Sequence, residues 1–233
     1  MNFPCRYCLI LCLLSGKVAL AQNCMDVINN TGLYGKSDDI INGTKWIYEK
    51  KYLGSPLLVE NYWPKADILY KDELYTEVLM NYDVYKNEVI VFHPERGNEK
   101  YVVISIDYLA WFSFTDSLTN TKHHFKYFEI PGISGKALYE TLVFNKTVLY
   151  IKPIKNITLR SAKGRGEFIG HSAYYLQTGS ACSNFRTKNQ LVKLLAIQGN
   201  ELSKFLRRNK IKFNTDNPDN IVAILRYYDE LNP

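Results

Sequence analysis

The segment from Gly170 to Tyr174 is the nearest approach in this sequence to a catalytic motif. It reads Gly-His-Ser-Ala-Tyr and resembles a nucleophile elbow, in which a strand turns sharply into a helix and presents a serine. That motif needs glycine at its fifth position, whereas Tyr174 enters an apparent strand. We therefore interpret Ser172 as an ordinary strand or loop hydroxyl, and the segment predicts no catalytic residue.

Metal binding would require histidines or carboxylates that converge on one point. His123 and His124 are neighbours in or beside a predicted strand, so their side chains must point to opposite faces. No two of the four histidines share a spacing typical of metal ligands. The sequence predicts surface histidines and no metal site; the four are His93, His123, His124 and His171.

Phosphate binding and acid-base catalysis have weaker candidates. Residues 164–166 read Gly-Arg-Gly but lack the lysine, the hydroxyl and the following helix of a P-loop, so we predict no cofactor. The acidic pairs at residues 38–39 and 72–73 could serve a glycosidase if a cleft enclosed them. In turn-rich surroundings such pairs are usually solvated, and we interpret them as turn residues.

Positive charge is concentrated near the C-terminus. Residues 22–181 carry equal numbers of basic and acidic side chains, so the surplus lies in residues 182–233. Such a patch can meet an anionic ligand, an anionic lipid surface or simply water, and a solvated helix face is the commonest case. The candidate anionic-ligand patch consists of Lys204, Arg207, Arg208, Lys210 and Lys212.

The first residues are typical of an export signal. Arg6 provides a positive start, residues 8–14 are apolar, and residues 19–21 give the small-x-small pattern cleaved by signal peptidase. The apolar run is much shorter than the roughly 20 residues of a membrane span. We therefore expect a signal peptide at residues 1–21, a mature chain that begins at Gln22, and no transmembrane segment after cleavage.

Only Cys24 and Cys182 remain after removal of this signal. An exported chain meets an oxidising compartment, where two cysteines commonly form one disulfide. Two unpaired buried thiols are the alternative.

The centre of the chain has the period of β-strands. Apolar and polar residues alternate from Glu73 to Tyr82, and residues 84–87 form a turn into a second strand that ends at Phe92. The connections between strands are too short for crossover helices, so the strands must be antiparallel. Further strands are predicted at residues 101–106, 111–114, 125–130, 139–144, 148–151 and 173–177, with residues 154–168 as a loop.

Beyond residue 186 the apolar period changes to that of helices. Thr187 and Gln190 have the spacing of a capping box, Asn200 is a candidate cap for a second helix, and Asn217 before Pro218 opens a third. We expect these helices to pack on the sheet.

Aromatic residues form a dense group between Trp46 and Trp111. An exposed row of rings would suit a sugar or a partner protein. Antiparallel sheets are rich in aromatic residues in any case, and burial in the core is the favoured interpretation.

Four segments carry a resemblance to a known group of proteins: residues 46–63, 66–70, 80–91 and 225–228. In these segments the chain resembles uncharacterised exported proteins of Bacteroidota that combine a β-rich body with lysine-rich C-terminal helices. The similarity lies in spacing and aromatic residues and covers most of the mature chain. It implies no activity and no site residue.

These observations predict an α+β fold, an antiparallel β-meander curled into a barrel-like or sandwich sheet with about three C-terminal helices. The expected organisation is a signal at 1–21, a β-rich domain at 22–181 and a helical segment at 182–233. We expect an exported, periplasmic or extracellular protein that binds or scaffolds in the cell envelope, where the partner would be a protein or glycan and not nucleic acid. The alternative is an envelope glycan hydrolase that uses a carboxylate pair.

Overall fold

The computed structural model of the chain describes residues 40–48, 51–95, 98–159, 165–215 and 217–232. In these ranges all strands belong to one open antiparallel sheet, and the long helices follow it. The α+β prediction is therefore confirmed. The elements are β1 (Thr44–Lys45), β2 (Lys65–Tyr70), β3 (Glu73–Asp83), β4 (Glu88–Glu95), β5 (Asn98–Ile104), β6 (Leu109–Thr115), β7 (Lys122–Phe128), β8 (Ala137–Val143), β9 (Thr147–Leu159), β10 (Gly166–Thr178), β11 (Ala181–Phe185), α1 (Lys188–Leu195), α2 (Gly199–Arg208) and α3 (Pro218–Leu231).

The order across the sheet is β1-β5-β4-β3-β2-β6-β7-β8-β9-β10-β11. Strands β6 to β11 are neighbours in sequence order, as a meander requires. Strands β2 to β5 are also neighbours in sequence order, but they extend from β2 toward the other edge of the sheet. Strand β6 therefore pairs with the free side of β2. No helix in the described ranges is long and apolar enough to cross a membrane.

Strand β3 changes its neighbour along its length. Its first part pairs with β2 and its last part pairs with β4. A bulge interrupts the part that pairs with β2, between Tyr75 and Val78, and Glu77 at φ 57° occupies the left-handed region there. The simple alternation predicted from Glu73 to Tyr82 is therefore wrong before the bulge: Tyr75 is buried and Leu74 is exposed, and Val78 resumes the inward pattern.

The sheet is strongly curled. The rings of Tyr82 in β3 and Phe125 in β7 lie 6.4 Å apart between centroids, although β2 and β6 separate those strands in the sheet. Residues 51–63, which we name the strap, cross between the two ends of the curl. Leu53 forms a bridge to Glu167 in β10, and Leu57 forms one to Asp83 in β3.

Lys155 of β9 fastens the strap. Its ammonium group donates hydrogen bonds to the carbonyls of Ser55 at 2.9 Å and Leu57 at 2.7 Å. It also lies 2.6 Å from a carboxylate oxygen of Glu60, and only 13% of the lysine side chain is exposed. A half-buried cation with three oxygen partners holds the strap against the sheet.

Two hydrophobic cores share the concave face of the sheet. The first fills the curl formed by β2 to β8, with Ile68, Phe112 and Phe125 at its centre. The second lies where β9, β10 and β11 meet the helices. Its members are Leu149, Ile151, Tyr174, Leu176, Phe185, Leu191, Leu195, Leu202, Leu206, Ile221, Ile224 and Leu225.

The helix starts follow local chemistry. The predicted capping box at Thr187 and Gln190 is present, with both reciprocal hydrogen bonds. Asn217 caps α3 by accepting a hydrogen bond from the Asp219 amide. The prediction that Asn200 caps the second helix is wrong, because α2 already begins at Gly199.

The predicted loop at residues 154–168 is largely strand. Strands β9 and β10 pair from Thr147 opposite Thr178 to Leu159 opposite Gly166. Pro153 suggested a break, but the pairing of β8 with β9 ends at Ile151. Pro153 therefore lies where β9 has a neighbour on only one side, a position that proline tolerates.

Candidate functional site

A cleft lies between the concave face of the sheet and helix α3, at the boundary of the two cores. It consists of two adjoining cavities of about 470 and 230 Å³. We name it the seam cleft. Both cavities are bordered by Asp116, His123, Glu140, Ile151 and Pro218.

The register of β7 and β8 brings a histidine and a glutamate together. Phe125 of β7 is opposite Glu140 of β8, and His123 lies two residues earlier on the same face. The His123 Nδ1 atom is 2.6 Å from the Glu140 carboxylate, with 26% and 14% of the two side chains exposed. This contact uses Nδ1 of His123, so the Nε2 atom can interact with other groups in the cleft.

The environment of His123 favours its charged form. Burial opposes protonation, but the hydrogen bond and the charge of Glu140, with the charges of Asp116 and Asp219, raise the pKa of His123 above its ordinary value. The ring also stacks on Phe114 at 5.0 Å between centroids. His123 is thus an oriented, partly buried imidazole whose charged form is favoured by several nearby carboxylates.

Asp116 follows the last residue of β6 at the mouth of the cleft and organises the loop between β6 and β7. One of its carboxylate oxygens accepts hydrogen bonds from the Leu118 amide at 2.7 Å and from the Tyr62 hydroxyl at 2.9 Å. The Leu118 amide contributes most to a lowered pKa of Asp116, and Tyr62 and Thr119 lower it further. Asp116 therefore remains an anion over the physiological range.

Helix α3 contributes the opposite wall. Pro218 and Asp219 of its first turn line the larger cavity, and Arg226 lies two turns further along the same helix. At neutral pH the cleft presents three carboxylates against Arg226 and the His123 imidazole. It has an acidic character with hydroxyl groups from threonines of the β6–β7 loop.

The described residues contain no group of histidine, cysteine and carboxylate side chains arranged to hold a metal ion. His123 and His124 do point to opposite faces as predicted, since His123 contacts Glu140 and His124 lies against Trp111. The interpretation of all histidines as surface residues is wrong for His93, which is buried in β4, and for His123.

Ser172 does not complete a catalytic triad with the histidine and glutamate. Residues 170–174 lie inside β10, with no turn into a helix. Ser172 borders the smaller cavity but pairs with Pro153 of β9, and β9 separates it from Glu140 in β8. Two strand spacings put the backbones roughly 10 Å apart. The sequence-based rejection of a nucleophile elbow agrees with this geometry.

The other predicted candidates do not join the seam cleft. Asp72 is an exposed residue of the β2–β3 turn. The five residues of the basic patch, Lys204, Arg207, Arg208, Lys210 and Lys212, are all exposed on α2 and the turn after it. This exposure is what a solvated helix face shows.

Cys182 of β11 is half-buried and has a free thiol in the described part of the chain. Burial raises the pKa of this thiol. Cys24, the signal at residues 1–21 and the acidic pair at 38–39 lie outside the described residues. The pairing of Cys24 with Cys182 therefore stays a prediction.

The aromatic residues between Trp46 and Trp111 mostly face other side chains. Among the described rings of this group, only Tyr85 and Tyr108 are exposed, with 45% and 59% of their surface accessible. Trp46, Trp63, Phe92 and Tyr101 form a half-buried cluster on the convex face of β4 and β5. The rings do not form the continuous exposed row that the alternative interpretation required.

No protein-family model, no curated protein and no solved structure matches this chain. The geometry of the seam cleft is therefore the strongest basis for assigning a function.

Proposed function

We propose that the chain is an exported cell-envelope protein that binds a small ligand with a cationic amino group in the seam cleft. The observation that carries the proposal is the convergence of Asp116, Glu140 and Asp219 on one cavity of about 470 Å³ between the sheet and α3. Clefts between packed units of a fold are a preferred place for small-molecule sites.

The charges of the cleft favour an amine. Glu140 is committed to His123, and Asp116 is held as an anion by the Leu118 amide. Asp219 is exposed in the first turn of α3 and is open to a further partner from solvent. An ammonium group between these carboxylates would gain charge-assisted hydrogen bonds, whereas an anionic ligand would meet like charge.

The binding test compares ligands that differ only at the amino group. Glucosamine and N-acetylglucosamine form such a pair, and spermidine is a stronger cation. Isothermal titration calorimetry should detect glucosamine or spermidine but not the acetylated sugar. Asp219→Asn should weaken binding about 10-fold, because a hydrogen bond to a charged group contributes about 1.5–3 kcal/mol.

Asp107→Asn is the matched control, because Asp107 is an exposed carboxylate in the turn before β6, away from the cleft. Equal affinity for the amine and its acetylated partner, or equal effects of the two substitutions, would contradict the proposal. So would the lack of any saturable binding.

Export is the second part of the proposal, supported by the charge, apolar run and cleavage pattern of residues 1–21. Fractionation of a bacterium that expresses the full chain should place the protein outside the cytoplasm. Mass spectrometry of its N-terminus should find Gln22 as the first residue. An intact chain that begins at Met1 in the cytoplasmic fraction would contradict export.

The alternative function is hydrolysis of an envelope glycan. It is favoured by the same convergence of carboxylates, since glycosidases act with two carboxyl groups about 5–9.5 Å apart. The assay is the release of reducing ends from purified peptidoglycan. Release by the wild-type protein that is lost in Glu140→Gln and in Asp116→Asn would replace the binding proposal with the enzymatic one.

A further inference from the structure

We propose that the convex face of the sheet carries a second ligand site, which binds a neutral saccharide. The site is a groove of about 480 Å³ on β2 and β6, which we name the outer groove. Asp67 of β2 and Ser113 of β6 are register partners on its floor. Because side chains alternate along a strand, these two point away from the face that forms the seam cleft.

Ser113 provides a hydroxyl group on the floor of the outer groove. Only 7% of this residue is exposed, and its side chain borders the groove beside that of its register partner Asp67. A serine hydroxyl both donates and accepts hydrogen bonds, so it can pair with a ligand hydroxyl in the groove.

The wall of the outer groove is a fixed aromatic surface. Trp63 packs against Tyr101 at 5.2 Å and Phe92 at 5.9 Å between ring centroids. The Tyr62 hydroxyl donates to Asp116 and accepts from the Ser117 amide, both at 2.9 Å. These contacts hold the two rings in place, so a flat sugar face could stack on them with little loss of conformational entropy.

The charges of the outer groove are balanced, in contrast to those of the seam cleft. Lys65 lies 2.9 Å from Glu77, and both side chains are more than half exposed. Lys122 and Asp67 add one charge of each sign. The groove therefore offers hydrogen-bond donors and acceptors while its positive and negative side chains are equal in number. This arrangement suits ligand hydroxyl groups better than an ionic ligand.

The experiment is calorimetric titration with neutral oligosaccharides: chito-, cello- and malto-oligosaccharides. At least one series should bind and change the tryptophan fluorescence, because Trp63 borders the site. Ser113→Ala and Asp67→Asn should each weaken binding, the second by about 10-fold through loss of a charge-assisted hydrogen bond.

A control variant tests whether the effects are local to the groove. Asp107→Asn removes an exposed carboxylate outside the groove and should leave saccharide affinity unchanged. The proposal is overturned if no neutral series binds, or if Ser113→Ala and Asp67→Asn bind as tightly as the wild type. It is also overturned if only acidic oligosaccharides or peptides bind. Failure of the amine site would leave these outcomes unaffected.

Discussion

The contact between His123 and Glu140 gives the sharpest prediction for stability, through Glu140→Gln. The wild-type pair is 2.6 Å apart, and its side chains are 26% and 14% exposed, so the hydrogen bond is largely shielded from water. Such a charge-assisted bond contributes about 1.5–3 kcal/mol, against about 0.5–1.5 kcal/mol for a neutral one. The substitution keeps the shape of the side chain and removes its charge.

The loss of stability caused by Glu140→Gln must depend on pH, and the direction of this dependence follows from the protonation of the His123 imidazole. The pKa of His123 is raised in the folded chain by Glu140, whereas an unfolded histidine titrates near about 6.5. The stabilisation is therefore complete below about pH 6.5 and is lost as the pH rises through the folded value. The difference between a charge-assisted and a neutral bond is about 1–1.5 kcal/mol, and a chain of this size loses about 2–4 °C per kcal/mol. Thermal unfolding of Glu140→Gln at about pH 6 should therefore occur about 2–6 °C below the wild type. At about pH 9 the difference should be smaller.

Glu77→Gln provides the control for this experiment. Glu77 also forms an ion pair, with Lys65, but its side chain is 58% exposed, so the change should cost less than about 1 kcal/mol. Circular dichroism melts of the three proteins at both pH values give the comparison. Equal losses for Glu140→Gln at the two pH values, or a loss no larger than that of Glu77→Gln, would refute the reasoning.

Three further substitutions and one control substitution test features of the fold. Lys155→Met should reduce the free energy of unfolding by about 2–3 kcal/mol in urea titrations and speed hydrogen exchange in the strap, because the cation that joins the strap to β9 is lost. Thr187→Ala should cost about 1 kcal/mol in the same assay, since it removes the cap of α1. Gly166→Ala should cost about 1–3 kcal/mol, because a new Cβ would lie 2.6 Å from the Ile157 side chain. Gly170→Ala in the same strand, where the nearest atom is 3.7 Å away, should be far better tolerated, and equal losses would argue against the packing explanation.

The sequence predicted the elements whose signals are local. Alternating residues and the turn at 84–87 located the hairpin of β3 and β4, and capping residues located the starts of α1 and α3. These features depend on neighbours a few residues away, which a single sequence contains. The bulge at Glu77 was missed because β-bulges have no strong sequence signature, and it moved Tyr75 into the core.

The candidate sites depend on contacts between distant parts of the chain. His123 and Glu140 meet only because β7 and β8 pair in one particular register, and a shift of one residue would turn one of them outward. Asp219 joins them through the docking of α3. The sequence placed His123 and His124 on opposite faces of a strand, and the predicted meander made consecutive strands neighbours, but it carried no sign of the register in which they would pair.

The strap sets an order of events for a growing chain. Ser55 leaves the ribosome long before its partner Lys155, which lies 100 positions further on. Glu167, the bridge partner of Leu53, follows later still. Contacts of such large sequence separation form slowly, because the loop between them must close first. During synthesis the strap therefore remains without its partners on β9 and β10 until those strands emerge, and only then can it fix the curl of the sheet.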